Sequence, residues 1–249
     1  MIQGFYTAGG SMIAQQQKIN VIAGNIANVN TNGYKKNNVG FSEVVYTEYQ
    51  NMDAGAGGYI IGNGVRITDA VRDLSQGAVM QTGRGLDLSM EGDGYMTLRD
   101  GAGNLFYTRG GSFQLSVEGE DSYIVDSNGN YLMDSNMQRI NAGGGEFTVT
   151  SDGVVVSGGA VQGSLRIVGF EHAENLRSVG GGLYIQTAES GGETAAASAS
   201  VRQSSIERSN VNLASEFTDL IAVQRLYQIS SKVVQTIDEM QGMANSLRK

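Results

Sequence analysis

SNVNLASEFTDLIAVQRLYQISSKVVQTIDEMQGMANSLRK, residues 209–249, is the stretch on which the fold turns. Ser209-Asn210-Val211-Asn212 supplies N-cap side chains, and Glu216 and Asp219 lie near the first turn, where carboxylates suit the helix dipole. An unbroken helical pattern follows to the cations Arg248 and Lys249. Leu213, Leu220, Tyr227 and Val234 form one seven-residue series. Val223, Ile237 and Ala244 form its partner series, interrupted at Ser230. Leu226, Val233, Met240 and Leu247 form a third, and Phe217, Ile221 and Ile229 lie elsewhere. Together they cover most of the circumference, and a helix apolar nearly all round must be surrounded.

The other end of the chain carries the matching half of this pattern. Phe5, Met12, Ile19 and Ile26 recur every seven residues, widened by Ala8, Ile22 and Val29. This is the narrow apolar stripe of a coiled-coil seam. Gly9 and Gly10 weaken it early. The pattern stops at Asn28-Val29-Asn30-Thr31-Asn32-Gly33, residues that end helices, with Lys35 and Lys36 just beyond. A helix over 2–29 would be roughly 40 Å long. One such helix cannot cover the C-terminal one, so other chains are expected to cover the rest.

Between the helices the period changes to two. Residues 86–90 alternate, and Tyr95–Leu98 is followed by Asp100-Gly101-Ala102-Gly103-Asn104 and Leu105–Thr108. Ser122–Val125 and Tyr131–Met133 flank Asp126-Ser127-Asn128-Gly129-Asn130, and Phe147–Thr150 and Val154–Val156 flank Ser151-Asp152-Gly153. Asn-Gly and Asp-Gly between β-branched or aromatic runs signal hairpins, and Leu165–Val168 is a further strand. The expected fold class is α+β: long N- and C-terminal helices pairing as a coiled-coil-like domain, with an inserted antiparallel β-rich domain. The expected organisation is residues 1–36 as the N-terminal helix of the axial helical domain and 37–82 as an extended linker. Residues 83–205 form the β-rich outer domain with its return linker, and 206–249 the C-terminal helix.

Composition excludes much chemistry. The 249 residues contain no cysteine, no proline and one histidine, with 36 glycines and a net charge of −8. Thiolate metal sites, disulfides and multi-histidine sites are out of reach. Residues 1–40 carry +3, whereas 41–100 and 101–180 carry −5 each and 181–249 carries −1. Such a balance argues against phosphate-driven binding to nucleic acid. No apolar run is long enough to span a bilayer, so no membrane insertion is expected. The start lacks a basic region followed by an apolar one, so no cleaved signal peptide is expected.

Candidate sites have plainer readings. Residues 126–130 superficially suggest a calcium loop, but Tyr131 and Met137 stand where the EF-hand needs glycine and glutamate. A hairpin turn is the better reading. Gly83-Arg84-Gly85 and Gly92-Asp93-Gly94 lack the third glycine of a dinucleotide site, and no Gly-Lys pair offers a P-loop. His172 has no serine elbow beside it and is expected to be solvated. The pairs Asp87/Glu91 and Glu118/Glu120 could be imagined as glycosidase acids, yet an acidic region makes chance pairs common. Gly55-Ala56-Gly57-Gly58 and Gly180-Gly181-Gly182 read as flexible joints or tight turns. No catalytic residue, metal or cofactor is expected.

Both ends carry a specific likeness. Residues 23–35, with Asn25, Asn28, Asn30, Thr31, Gly33 and Lys35, resemble the N-terminal signature of bacterial flagellar rod and hook proteins. That signature reads Ala-Asn-Asn-Leu-Ala-Asn-x-Asn-Thr-x-Gly-Phe-Lys, with Gly24 and Tyr34 as departures. Ser209, Asn210 and Asn212, followed by Gln224, Arg225 and Tyr227, resemble its C-terminal signature, and Ser204 stands where the family has glycine before Leu-Glu-x-Ser-Asn-Val-Asn. Residues 86–95 and 107–113 are similar to the family's central β segments, and Phe170–Tyr184 follows another of its patterns with His172-Ala173 in place of Asn-Pro. Phe41-Ser42-Glu43-Val44-Val45-Tyr46, Gly62-Asn63-Gly64-Val65 and Gln224-Arg225 with Tyr227 point to the distal-rod branch. A proximal-rod or generic hook–basal-body member is the alternative.

The resemblance implies a structural subunit, exported by the flagellar type III apparatus, that self-assembles into a hollow helical drive shaft in the cell envelope. Its implied partners are copies of itself, other rod and hook proteins, the export apparatus and ring or bushing proteins. The expected assembly interface is Phe5, Met12, Ile19, Ile26, Leu213, Phe217, Leu220, Tyr227, Val234 and Ile237. A peptidoglycan-acting enzyme and a β-domain adhesin are the competing classes. The helices are expected to order only on joining the growing end, because isolated helices are marginal in water.

Overall fold

The computed structural model describes residues 2–44, 47–49, 59–61, 64–143, 147–196 and 199–247. Val45, Tyr46, Gly62, Asn63, the joint at 55–58 and the terminal Arg248 and Lys249 lie outside these. By contacts the chain forms two compact units, one of residues 1–27, 37–71 and 212–249, the other of 28–36 and 72–211. The chain is α+β, with a helix at each end and a β-rich middle. Residues 28–36 and 206–211, expected with the helices, belong to the β unit. The expected linker 37–82 carries short strands and divides between the two.

The helical unit holds α1 (Ile2–Ala27) and α2 (Leu213–Ser246). Asn212 caps α2, its side chain accepting from the backbone N–H of Ala214 and Ser215. α1 runs through Gly9 and Gly10 without interruption, because packing against α2 and strand Val65–Ile67 outweighs their poor helix propensity. It stops at Ala27, two residues before the expected end. The helices pair antiparallel: Gly4 lies against Ile237, Gln15 donates to Ser230 at 3.3 Å, and Asn25 donates to Glu216 at 3.1 Å. Strand Phe41–Glu43 pairs with Val65–Ile67, and Lys18 sits 5.0 Å from the Phe41 ring centroid. No helix among the described residues is long and apolar enough to cross a membrane.

In the β unit, strand Tyr95–Arg99 is the hub of a nine-stranded sheet. Leu105–Thr108 pairs along one edge, and on the other Tyr131–Leu132 and Ile167–Phe170 take opposite ends. All these pairings are antiparallel, as the hairpin signals imply. The turn 100–104 closes when Asp100 Oδ1 accepts from the N–H groups of Ala102 and Asn104. Asp126 does the same for Asn128 and Asn130, so the calcium-like stretch is a hairpin turn. Leu88, Met90, Met96, Leu98, Phe113, Ile124, Leu132, Ile140, Val155 and Leu165 make the main core. A second cluster joins Tyr95, Tyr107, Val168, Leu176 and Tyr184, with Phe170 edge-on to Tyr95 and Tyr107. His172 is exposed, its Nδ1 3.4 Å from Glu174. Asp87 is buried and held by Thr82 and Ser112, while Glu91 pairs with Arg202 and Glu118 with Arg139.

Ser204 has φ 57° and separates strands Ser200–Gln203 and Ser205–Glu207. Its carbonyl accepts from Thr82 and Gly83, fixing the left-handed bend. A side chain there costs about 1 kcal/mol or more, partly offset by the looser unfolded chain of glycine. Ser204→Gly is therefore expected to raise the unfolding free energy by about 0.5 kcal/mol in a urea titration, and Ser204→Val to lower it by about 1 kcal/mol. A glycine variant less stable than the parent would contradict the strain.

Candidate assembly surface and the joined terminal segments

The face that α2 turns to α1 contains Glu216, Leu220, Val223, Tyr227, Ser230, Val234 and Ile237, at alternating spacings of four and three. Glu216, Val223 and Ile237 are buried and the others half-buried. On α1 the buried side chains are Ala8, Ala14, Ile22 and Asn25. Met12, Ile19 and Ile26 are only half-buried, and Phe5 is 47% exposed. The seam on α1 thus sits to one side of the expected stripe. Small residues let the larger side chains of α2 come close, so size decides the face rather than hydrophobicity alone.

A second row on α2 runs Leu226, Ile229, Val233, Met240, Met243 and Leu247, roughly 100° round the helix from the seam. All six are exposed, Ile229 by 60% and Leu247 by 88%. A shallow groove of about 350 Å³ lies along it, lined by Ile229, Lys232, Val233, Thr236, Ile237 and Met240. Leu213, Phe217 and Ile221 are exposed on another side of the same helix. Gln224 and Arg225 are exposed as well.

Asn25 is the polar member of the seam. Its amide donates to Glu216 and, at 2.9 Å, to the Asn37 carbonyl, while its Oδ1 accepts from the Asn37 N–H. Glu216 sits in the first turn of α2, where backbone N–H groups favour a carboxylate.

The β unit carries the remaining motif residues. Asn28 closes a turn with Thr31, its carbonyl and side chain both accepting from Thr31, and Asn30 is exposed. Gly33, at φ 68°, is buried and donates its N–H to the Glu207 carbonyl at 2.8 Å. Asn210 donates its backbone N–H to Tyr34, accepts from the Lys36 N–H, and gives its side-chain amide to Asp73 and Ser75. Ser209 Oγ accepts from the Val211 N–H.

Residues 28–36 and 205–211 form two straps, the first following α1 and the second preceding α2, and an ion cluster joins them. Lys35 Nζ is 2.7 Å from Glu207 Oε1 and 2.7 Å from the Ser75 carbonyl. Arg109 Nε is 3.3 Å from Glu207 Oε2, and its guanidinium donates to the carbonyls of Gly92 and Gly94. Gly77 gives its N–H to Glu207 Oε1, and a Cβ there would fall 1.9 Å from the Arg208 carbonyl, so only glycine fits. All three charges are buried. Burial pushes the Lys35 ammonium below its usual range, the bond to Glu207 opposes this, and Arg109 adds to the depression. Removing one partner of such a buried group costs about 3–5 kcal/mol, because the other charge is left uncompensated. All three stand inside the quoted motifs, Glu207 at the glutamate of Leu-Glu-x-Ser-Asn-Val-Asn, but the sequence does not single Glu207 out. Its ties span 172 and 98 residues, a separation no periodicity reveals.

Three family models match in order along the chain: "Flagella basal body rod protein" over residues 5–35, "Flagellar hook protein FlgE/F/G D1 domain" over 89–157, and "Flagellar basal body rod FlgEFG protein C-terminal" over 202–247. Among curated relatives, the flagellar basal-body rod protein FlgG of Bacillus subtilis is 34% identical and that of Borreliella burgdorferi 32%, each aligned over all of both chains. The hook-basal body complex protein FlhP of Bacillus subtilis is 29% identical, again over the whole of both. The chain belongs to the flagellar basal-body rod protein family, whose members are structural and not enzymes.

Tyr184 ties the first strap to the aromatic cluster, its hydroxyl donating to the Gly33 carbonyl at 3.4 Å, with Arg72 over its ring. Burial pushes its phenol up to about 12. The unfolded chain ionises from about pH 10. The stabilisation is therefore complete below pH 10 and is lost as pH rises towards 12, about 2–3 kcal/mol in all. Tyr184→Phe is expected to flatten the fall in urea-unfolding free energy between pH 10 and 12. An unchanged slope would show that this phenol does not govern it.

Proposed function

We propose that the chain is the distal-rod subunit of the flagellum and polymerises through the free faces of its helix pair into a hollow helical shaft. The observation that carries this reading is the exposed row Leu226–Ile229–Val233–Met240–Leu247. A regularly spaced apolar row on an already paired helix is the seam for a further helix. The antiparallel pair of α1 and α2 is read as coiled-coil-like, since the α2 seam keeps the heptad spacing. Where such contacts between copies are head-to-tail and their rotation does not close, they build a helical filament. The expected interface residues Phe5, Leu213 and Phe217 are available to it, with the half-buried Met12, Ile19 and Ile26 beside the α1 seam, while Leu220, Tyr227, Val234 and Ile237 hold the pair behind it. FlgG in the relatives' names supports the distal position. Neighbouring rod and hook proteins, ring or bushing proteins and the export apparatus are the proposed partners. The proposed location is the cell-envelope part of the basal body.

Ordering of the helices is proposed to accompany assembly. α1 and α2 have 26 and 34 residues, yet among the described residues only Ala8, Ala14, Ile22, Val223 and Ile237 are buried apolar side chains there. That is little to offset an ordering cost of about 1–2 kcal/mol per residue. Circular dichroism is expected to show helix content rising when monomer becomes polymer. A dilute monomer already at the polymer's helix content would refute the coupling.

Val233→Asp adds a charge to the exposed row without touching the seam. It is expected to abolish tubes in electron micrographs while changing thermal stability of the β unit by less than about 0.5 kcal/mol. Tubes formed at the parent's concentration would sink the proposed interface.

A further inference from the structure

We infer that Lys35, Glu207 and Arg109 are positioning residues that hold the two helix-bearing straps together before the helices order. The strap of residues 28–36 leads from α1, and that of 205–211 leads into α2. Within the β unit they lie side by side, joined by Gly33 N–H to the Glu207 carbonyl and Asn210 N–H to the Tyr34 carbonyl. Side chains repeat the connection, Lys35 to Glu207 and Asn210 Oδ1 to the Lys36 N–H. Both straps are seated on a third segment, since Ser75 accepts from Lys35 and from Asn210 and Gly77 donates to Glu207. Arg109 anchors the carboxylate to the turn at Gly92 and Gly94.

The charges make this seating mutual. Glu207 is buried and takes both Lys35 and Arg109 as partners. If the first strap lifts, Glu207 loses the ammonium and the Gly33 bond together. If the second lifts, two buried cations lose the carboxylate they share. Neither strap can then be seated at full strength without the other. Holding the two exits adjacent removes most of the loop-closure cost of bringing α1 to α2, because their meeting becomes a local event at high effective concentration. The inference rests on the assembly reading above.

The test uses the full chain. Glu207→Gln keeps the shape and removes the negative charge. Hydrogen exchange at the Gly33 and Asn210 amides is expected to accelerate together by at least about tenfold, while the Met96 and Tyr107 amides of the central sheet change by less than about twofold. The critical concentration for tube formation is expected to rise by at least about tenfold, with tubes of unchanged form above it. The chain has no native cysteine, so Tyr34→Cys and Ser209→Cys in the same variant can be bridged by a short bismaleimide. That tether is expected to restore the critical concentration without restoring the ions. If Glu207→Gln does not fold, Asn210→Ala leaves all three charges and is read by the same amides and the same concentration. The inference is overturned if only one strap loosens, if the critical concentration stays within about twofold of the parent, or if the tether fails to restore it. A parent chain that forms no tubes at any concentration would instead overturn the assembly reading.

Discussion

A single carboxylate, Glu207, holds two cations that approach it from opposite parts of the chain. Lys35 comes from the segment after α1 and Arg109 from the residue between strands Leu105–Thr108 and Gly110–Ser112. In water either pair would contribute little. Buried, each becomes a condition on the others, because a lone charge in that place is costly. The bonds of Gly33, Gly77 and Asn210 around the cluster then follow as the backbone's way of keeping those charges satisfied. The cluster contributes order rather than mere stability. It selects one arrangement of four distant segments.

The helical unit works by a different balance. Its seam combines small and polar residues of α1 with larger side chains of α2, and the Asn25–Glu216 contact places a hydrogen-bonded polar pair near one end. Such a pair favours one alignment of two helices over slipped ones. What the seam lacks is bulk. Bulkier apolar residues stand instead on the second row of α2, where they are exposed.

Much of this was legible in the sequence, for reasons of range. The α2 cap at Asn212, the hairpins closed by Asp100 and Asp126, and the two terminal helices are local features that nearby residues dictate. The chosen stripe of α1 was less so. Phe5, Met12, Ile19 and Ile26 are its most hydrophobic periodic residues, yet the partner helix approaches over Ala8, Ile22 and Asn25, where there is room. Gly9 and Gly10 suggested a weak helix, and tertiary packing overrode them. The ion cluster was hidden by distance along the chain, and Lys35 read naturally as a cation closing a helix. Residues 28–36 and 206–211 group with the β unit for the same reason, since they are non-helical segments with partners there.

The adjacency of Tyr34 and Asn210 has an architectural corollary. Asp73, just after the chain returns to the β unit at residue 72, donates to the Lys36 carbonyl and accepts from Asn210, so residues 74–209 leave and return at neighbouring points, like a decoration on a hairpin. The intervening module can be enlarged, trimmed or exchanged without altering the spacing of the two stems. The pairing of the terminal helices and the size of the intervening module therefore become separable traits, open to independent variation.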